Sequence, residues 1–266
     1  MHAILKRLAE IGISENELLL FEPLSAHAAA WQGFADVDSR SDYYEAAQRY
    51  IRFVALSFAE RGVKLHSIDG VMISPLAVIG EGTEIYPNVQ IRHGVTIGKN
   101  CVIGSGSVIE NSTVGDGCVI NATQIYQSIL DDDVRIGPFC HVRPNTHLCR
   151  GVRIGDFVEV KNSTVGRDTH ASHLTYIGDS DVGERVNFGC GTVTVNYDGK
   201  KKSRTVIGND AFIGCNTNLI APVRIGDHGF TAAGSTITDD VPDDALGIAR
   251  ARQINKDGWV IKKQQG

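Results

Sequence analysis

Among six cysteines no Cys-x-x-Cys pair occurs, so neither a zinc framework nor a disulfide scaffold is indicated, and a reducing, cytoplasmic setting is expected. No basic run exceeds Lys200-Lys201-Lys202, and the formal net charge is −5, which argues against nucleic acid or an anionic membrane as partner. No apolar stretch approaches the ~20 residues of a membrane span, and Met1 to Arg7 lack the layout of a secretion signal. Proline is scarce, at 7 residues in 266, and a hydrophobic content of 42% excludes a disordered chain. Against these absences stands an excess of glycine, 29 residues, or about 11% where roughly 7% is usual.

A repeat accounts for the glycine. Ile73, Ile79, Ile85, Ile91, Ile97, Ile103 and Ile109 recur every six residues, with Thr83, Val89, Val95, Cys101 and Ser107 two places ahead and Gly80, Gly98 or Gly104 directly behind. The register runs on through Val142, Val160, Ile177, Phe188, Ile213 and Ile225, with occasional five-residue steps. Period six fits neither a helix nor a simple alternating strand. It fits a short strand with two inward positions followed by a corner, where glycine relieves the bend. Three such sides close a coil, and stacked coils bury an aliphatic column. A β-sandwich would need hairpin turns every 8–12 residues, and they are absent. The expected fold is all-β, a left-handed parallel β-helix with a small α-helical N-terminal region and a C-terminal arm. The corresponding divisions are residues 1–65, 66–240 and 241–266.

The spacing predicts a helix over Asp42 to Arg61, with Ser41 as N-cap and Gly62 as its stop, and a short helix over Met1 to Glu10. Both ends are expected to cap the stack, because an open β-helix end exposes unpaired backbone.

Three features carry chemistry. The longest interruption, between Thr194 and Ile207, forms a polar loop, Asn196 to Arg204, where function or a tolerated insertion would sit. One coil apart, Arg143 and Lys161 follow inward Val142 and Val160 and should stack at about 4.8 Å. They call for an anion such as a phosphate, or for a carboxylate partner such as Glu159 or Asp179. Finally, His173, Cys190, Cys215 and Ala233 each lie two residues after an inward position of successive coils. That column would be a groove with an imidazole at one end, suited to a long thin ligand and a general base, though His173 as a plain surface histidine is the alternative. Cys190 and Cys215 are close enough in register for a disulfide, which the expected compartment disfavours, while Cys101 and Cys118 read as buried fillers. His141, His147, His170 and His173 point outward without forming a convincing metal trio.

The stretches IGPFCHVRPNTHL, VRIGDFVEVKNSTVG, ASHLTYIGDSDVG, RVNFGCGTVTVNYDGKKK and ALGIARARQINKDGW resemble the acetyltransferase half of the bifunctional N-acetylglucosamine-1-phosphate uridyltransferase/glucosamine-1-phosphate acetyltransferase family. The resemblance runs from about Ala59 to Trp259. It implies acetyl transfer from acetyl-CoA to glucosamine-1-phosphate with His173 as general base and no metal needed for that step. Arg143, Lys161, Tyr176, Asn187 and Lys202 would hold the sugar phosphate. Asn196, Tyr197, Cys190, Cys215, Ala233, Arg250 and Lys256 would contact acetyl-CoA. It also implies a homotrimer with sites shared between subunits. Cys190 and Cys215 depart from the alanine and serine expected there. No glycine-rich nucleotide loop precedes Val71, so uridyl transfer is not expected of this chain. Three other readings stay open: a different or nucleotide-linked amino sugar as acceptor, a non-catalytic trimeric binding protein, or transfer through Cys190 as nucleophile.

Overall fold

Six-residue periodicity becomes strands of two to four residues separated by corners, and every paired strand runs parallel to its neighbours. In the computed structural model, which describes residues 9–13 and 37–264, these strands form three sheets of 11, 10 and 9 strands. We name them faces A, B and C. Up to Thr236–Ile237 successive strands visit the three faces in turn, so each coil contributes one strand to each face, and the coils stack as a β-helix. Face A starts at Lys64–Leu65 and ends at Leu246–Gly247.

The register follows the apolar repeat. On face A, Ile85 lies opposite Ile103, Ile103 opposite Ile120, Ile120 opposite Ile136 and Ile136 opposite Ile154. These residues and the companions Thr83, Val89, Val95, Cys101 and Ser107 are buried in one continuous column. A fully buried aliphatic side chain stabilises by roughly 1.5–3 kcal/mol, so the column is the principal source of cohesion. Cys101 and Cys118 fill it as small side chains, as their inward register implies.

Glycine divides its work in a way the sequence reading did not separate. Gly106 and several others sit at left-handed corners with positive φ, a role they share with Asn88, Asn100, Asn145 and Asn162. Gly80, placed at a bend by the periodicity, does not. There the next coil comes so close that a Cβ would lie 2.6 Å from the backbone of Gly98.

Among the described residues one long helix, α1 (Arg40–Ala59), packs its buried side, including Tyr43, Tyr50, Val54 and Phe58, onto the first coils. Its cap is Ser39, whose Oγ accepts from the Asp42 amide at 3.2 Å. This corrects the expectation of Ser41: Ser39 holds the extended backbone an N-cap requires, and Ser41 already lies within the helix. The helix also ends at Ala59, short of the expected Arg61. The helix expected over Met1 to Glu10 falls almost wholly outside the described residues. At the other end, face A gains its last strand at Leu246–Gly247, and the chain then runs exposed to a short helix, α2 (Trp259–Gln264). No helix among the described residues is long and apolar enough to cross a membrane.

Candidate functional site

Two groups of polar residues form on the same stretch of coils. The first lies midway along face B, where its strands end. Arg143 follows the strand His141–Val142, and Lys161 closes the strand Glu159–Lys161, with Val142 opposite Val160. Arg143 is paired with Glu159, Nη1 to Oε1 at 2.8 Å, so for this cation the carboxylate partner weighed from sequence is present. Lys161 has no ion pair among the described residues. The Lys202 ammonium lies against it, and this neighbour, then burial and the Arg143 charge, hold the Lys161 amine below its ordinary pKa. Three clustered cations against two carboxylates, Glu159 and Asp179, leave the pocket net positive and suited to a phosphate.

Lys202 arrives by a structured route. The polar loop is a short hairpin in which Tyr197 bridges Lys202 and the Ser203 amide donates to the Asn196 carbonyl at 2.9 Å. Asp198 Oδ1 accepts from the amides of Lys200 and Lys201, each at 2.8 Å. At its exit Arg204 makes two contacts with the Asp181 carboxylate. The insertion is therefore a fixed arm that carries an ammonium back onto the coil stack.

Tyr176 and Asn196 complete this group. Gly178, opposite Lys161 in the ladder, leaves room for the Tyr176 hydroxyl: a Cβ at 178 would lie 2.3 Å from it. Asn196 Nδ2 donates to that hydroxyl at 3.4 Å and also to the carboxylate of Asp179. Asp179 is buried, sits at a left-handed corner, and accepts from Asn162 as well. Burial pushes its pKa up, but the two amides and the ammoniums of Lys161 and Lys202 outweigh it and hold the carboxyl below its ordinary range. Sequence reading offered Asp179 only as a partner for a cation and missed that it holds Asn196. The signal was its place in the Gly-Asp of the H-L-T-Y-I-G-D motif, where Asp tolerates positive φ.

The second group is the column at the corner between faces A and B. Ala171, Phe188, Ile213 and Thr231 are successive partners in the face A ladder, which puts His173, Cys190, Cys215 and Ala233 at equivalent positions. His173 and Cys215 are exposed and Cys190 is half-buried. The floor between them is bare backbone: a Cβ on Gly189 would lie 2.5 Å from the Cys215 nitrogen, and one on Gly214 equally close to that of Ala233. Both cysteines are free thiols. Asp156 is the ladder partner of His173 on the preceding coil. At the foot of the column the Arg250 side chain lies beside Gly234, 3.9 Å from where a Cβ would stand.

Other expected site residues stay apart. Asn187 is exposed on the outer side of face A, between His170 and Phe212, a sheet away from the cation group. Tyr197 is exposed on the hairpin, its hydroxyl donating to the Gly199 carbonyl at 2.7 Å. Lys256 stands exposed on the C-terminal arm.

The sequence also matches families and proteins already known. The family model for bacterial transferase hexapeptides (six repeats) matches residues 76–111 and 204–239, and the GlmU-like C-terminal hexapeptide model matches residues 104–195. The chain is 51% identical over 229 residues to the bifunctional protein GlmU of Caldicellulosiruptor saccharolyticus, covering 86% of this chain and 50% of that protein. With the GlmU of Clostridium botulinum it shares 45% identity over 242 residues, 91% of this chain and 53% of the relative. The chain thus spans about half the length of the curated relatives it matches. Among solved structures, an Arabidopsis UDP-N-acetylglucosamine acyltransferase is similar at 17% identity and a TM-score of 0.49, over 71% of this chain and 70% of that one.

Proposed function

The chain belongs to the bacterial hexapeptide transferases, in the branch with the GlmU-like hexapeptide region, and from that premise we propose that it transfers the acetyl group of acetyl-CoA to the amine of glucosamine-1-phosphate. The observation that best supports this reading is the convergence of Arg143, Lys161 and Lys202 into one positive pocket beside Tyr176 and Asn196. A sugar phosphate placed there has its anion matched by the cations and a hydroxyl within reach of the Tyr176 phenol, which Asn196 and Asp179 hold in place. The column from His173 to Ala233 then receives the pantetheine arm along a floor of bare backbone. In this reading Cys190 and Cys215 line the acetyl-CoA groove, with Arg250 and Lys256 toward its nucleotide end.

The chemistry is direct. The amine nitrogen attacks the thioester carbonyl, the new C–N bond forms, and the C–S bond breaks as the CoA thiolate leaves. His173 takes the proton shed by the nitrogen, and no acyl-enzyme forms. The active unit in this proposal is a homotrimer whose neighbouring copy supplies Asn187, since within one chain that residue lies away from the cations. Phe139, Phe157 and Leu174 support the assembly: they stack at one corner, about 60% exposed and at positive φ, a combination unfavourable in an isolated chain.

A thiol-release assay with acetyl-CoA and glucosamine-1-phosphate tests the proposal. Turnover is expected, with His173→Ala lowering kcat by about 10²–10⁴ and Lys202→Ala raising KM for the sugar phosphate but not for acetyl-CoA. Absence of turnover, or a His173→Ala enzyme of undiminished kcat, would overturn it.

A further inference from the structure

On a different face from the two groups above, the outer side of face C carries a mixed set of donors. The strands Ser128–Leu130 and Thr146–Leu148 are ladder neighbours, with Ile129 opposite His147 and Leu130 opposite Leu148. The next step places Asp131 opposite Cys149. His147 and Cys149, separated by inward Leu148, project from the same side. One ligand atom from each of Asp131, His147 and Cys149 lies within 4.8 Å of the others.

We propose that Asp131, His147 and Cys149 form a binding site for a zinc-like divalent cation, with the fourth position open to water or an outside ligand. The donor chemistry is selective. Magnesium and calcium favour all-oxygen shells, whereas a thiolate, an imidazole and a carboxylate together suit a borderline-soft tetrahedral ion. Zinc holds these donors at about 2.0–2.3 Å, which sets ligand atoms roughly 3.5 Å apart. His147 Nε2 and Asp131 Oδ1 already stand 2.9 Å apart in a hydrogen bond, and both side chains are 41% exposed and free to adjust. The ladder supplies the preorganisation, because it fixes the two backbones before any ion arrives.

Access is open as well. On one side the partner of Asp131 is Gly115, and on the other the partner of Cys149 is Gly166, so no side chain at either position overhangs the trio. On binding, the S–metal bond forms as the Cys149 thiol gives up its proton to solvent. Histidine spacing alone hid the trio, since Asp131 belongs to the preceding coil.

The test is equilibrium dialysis of the full chain against zinc, read by elemental analysis, with cobalt(II) substitution as a spectroscopic check. One zinc per chain and a thiolate-to-cobalt charge-transfer band are expected for the parent. Cys149→Ser should abolish the band, and both it and His147→Gln should weaken zinc binding by more than the ~10–100-fold typical of changes behind the ligands. His147→Gln alters a half-exposed side chain, so it remains informative should Cys149→Ser fold poorly. A parent that binds no zinc would overturn the proposal, as would zinc affinity unchanged in these variants.

Discussion

Asp179 shows how much one side chain can hold. Its carboxylate ties Asn162 on one coil to Asn196 at the root of the hairpin, while two ammoniums of the pocket lie close enough to favour its charged form. Its folded pKa is depressed, so its contribution to stability is complete above the unfolded value near ~3.9. That contribution is lost as pH falls through the lower folded value. We expect Asp179→Asn to lower stability at neutral pH by about 1–3 kcal/mol, the range for breaking a buried polar pairing, and to flatten the acid limb of a plot of urea midpoint against pH. An acid limb as steep as the parent's would show that another carboxylate dominates. Lys161 carries the opposite sign. Its ammonium is disfavoured by Lys202 and Arg143, and a bound phosphate relieves that repulsion, so binding should draw its pKa back up.

At the scale of the element, the coil corner decides what glycine is for. Gly155 lies in the strand Arg153–Asp156, where a Cβ would stand 2.0 Å from the Ser172 carbonyl oxygen, next to His173. Gly106 has a φ of +76° and open space around it. Substitution by alanine should separate these causes. Gly106→Ala pays only the left-handed backbone cost, about 1 kcal/mol. Gly155→Ala must push two coils apart, at least the ~1–3 kcal/mol of overpacking, and should also lower the proposed acetyl transfer by shifting His173. Thermal midpoints of the two variants check this, and equal losses would contradict it. Helix α1 works at the same scale. Its apolar side joins the same buried column, so it closes the first coil as a cap should.

For the whole molecule, the distance between Asn187 and the cation group is the instructive fact. If a neighbouring copy supplies Asn187, two inactive variants can restore one another. A mixture of His173→Ala and Asn187→Ala chains, unfolded and reassembled together, should recover a measurable fraction of the parent's acetyl transfer, while each alone stays near background. Activity that fails to appear in assembled mixed trimers would place both residues in the same chain's site.

The aliphatic spacing by itself determined the coil, because two inward positions and a corner are local requirements that each six-residue unit must meet. It also determined the His173 column and the stacking of Arg143 on Lys161, since both follow from counting along that unit. Only the tertiary structure decided what those side chains meet. Glu159 takes Arg143, the hairpin returns Lys202 to Lys161, and Asp131 reaches Cys149, through folding of an insertion and through neighbours in adjacent coils. Five-residue steps and the insertion shift which residues of adjacent coils come opposite one another, and that alignment is set by the accumulated ladder of hydrogen bonds. The physical reason is range. Burial of an isoleucine is dictated by its own strand, whereas an ion pair or a ligand trio depends on the angle, register and approach of strands that a local pattern does not encode.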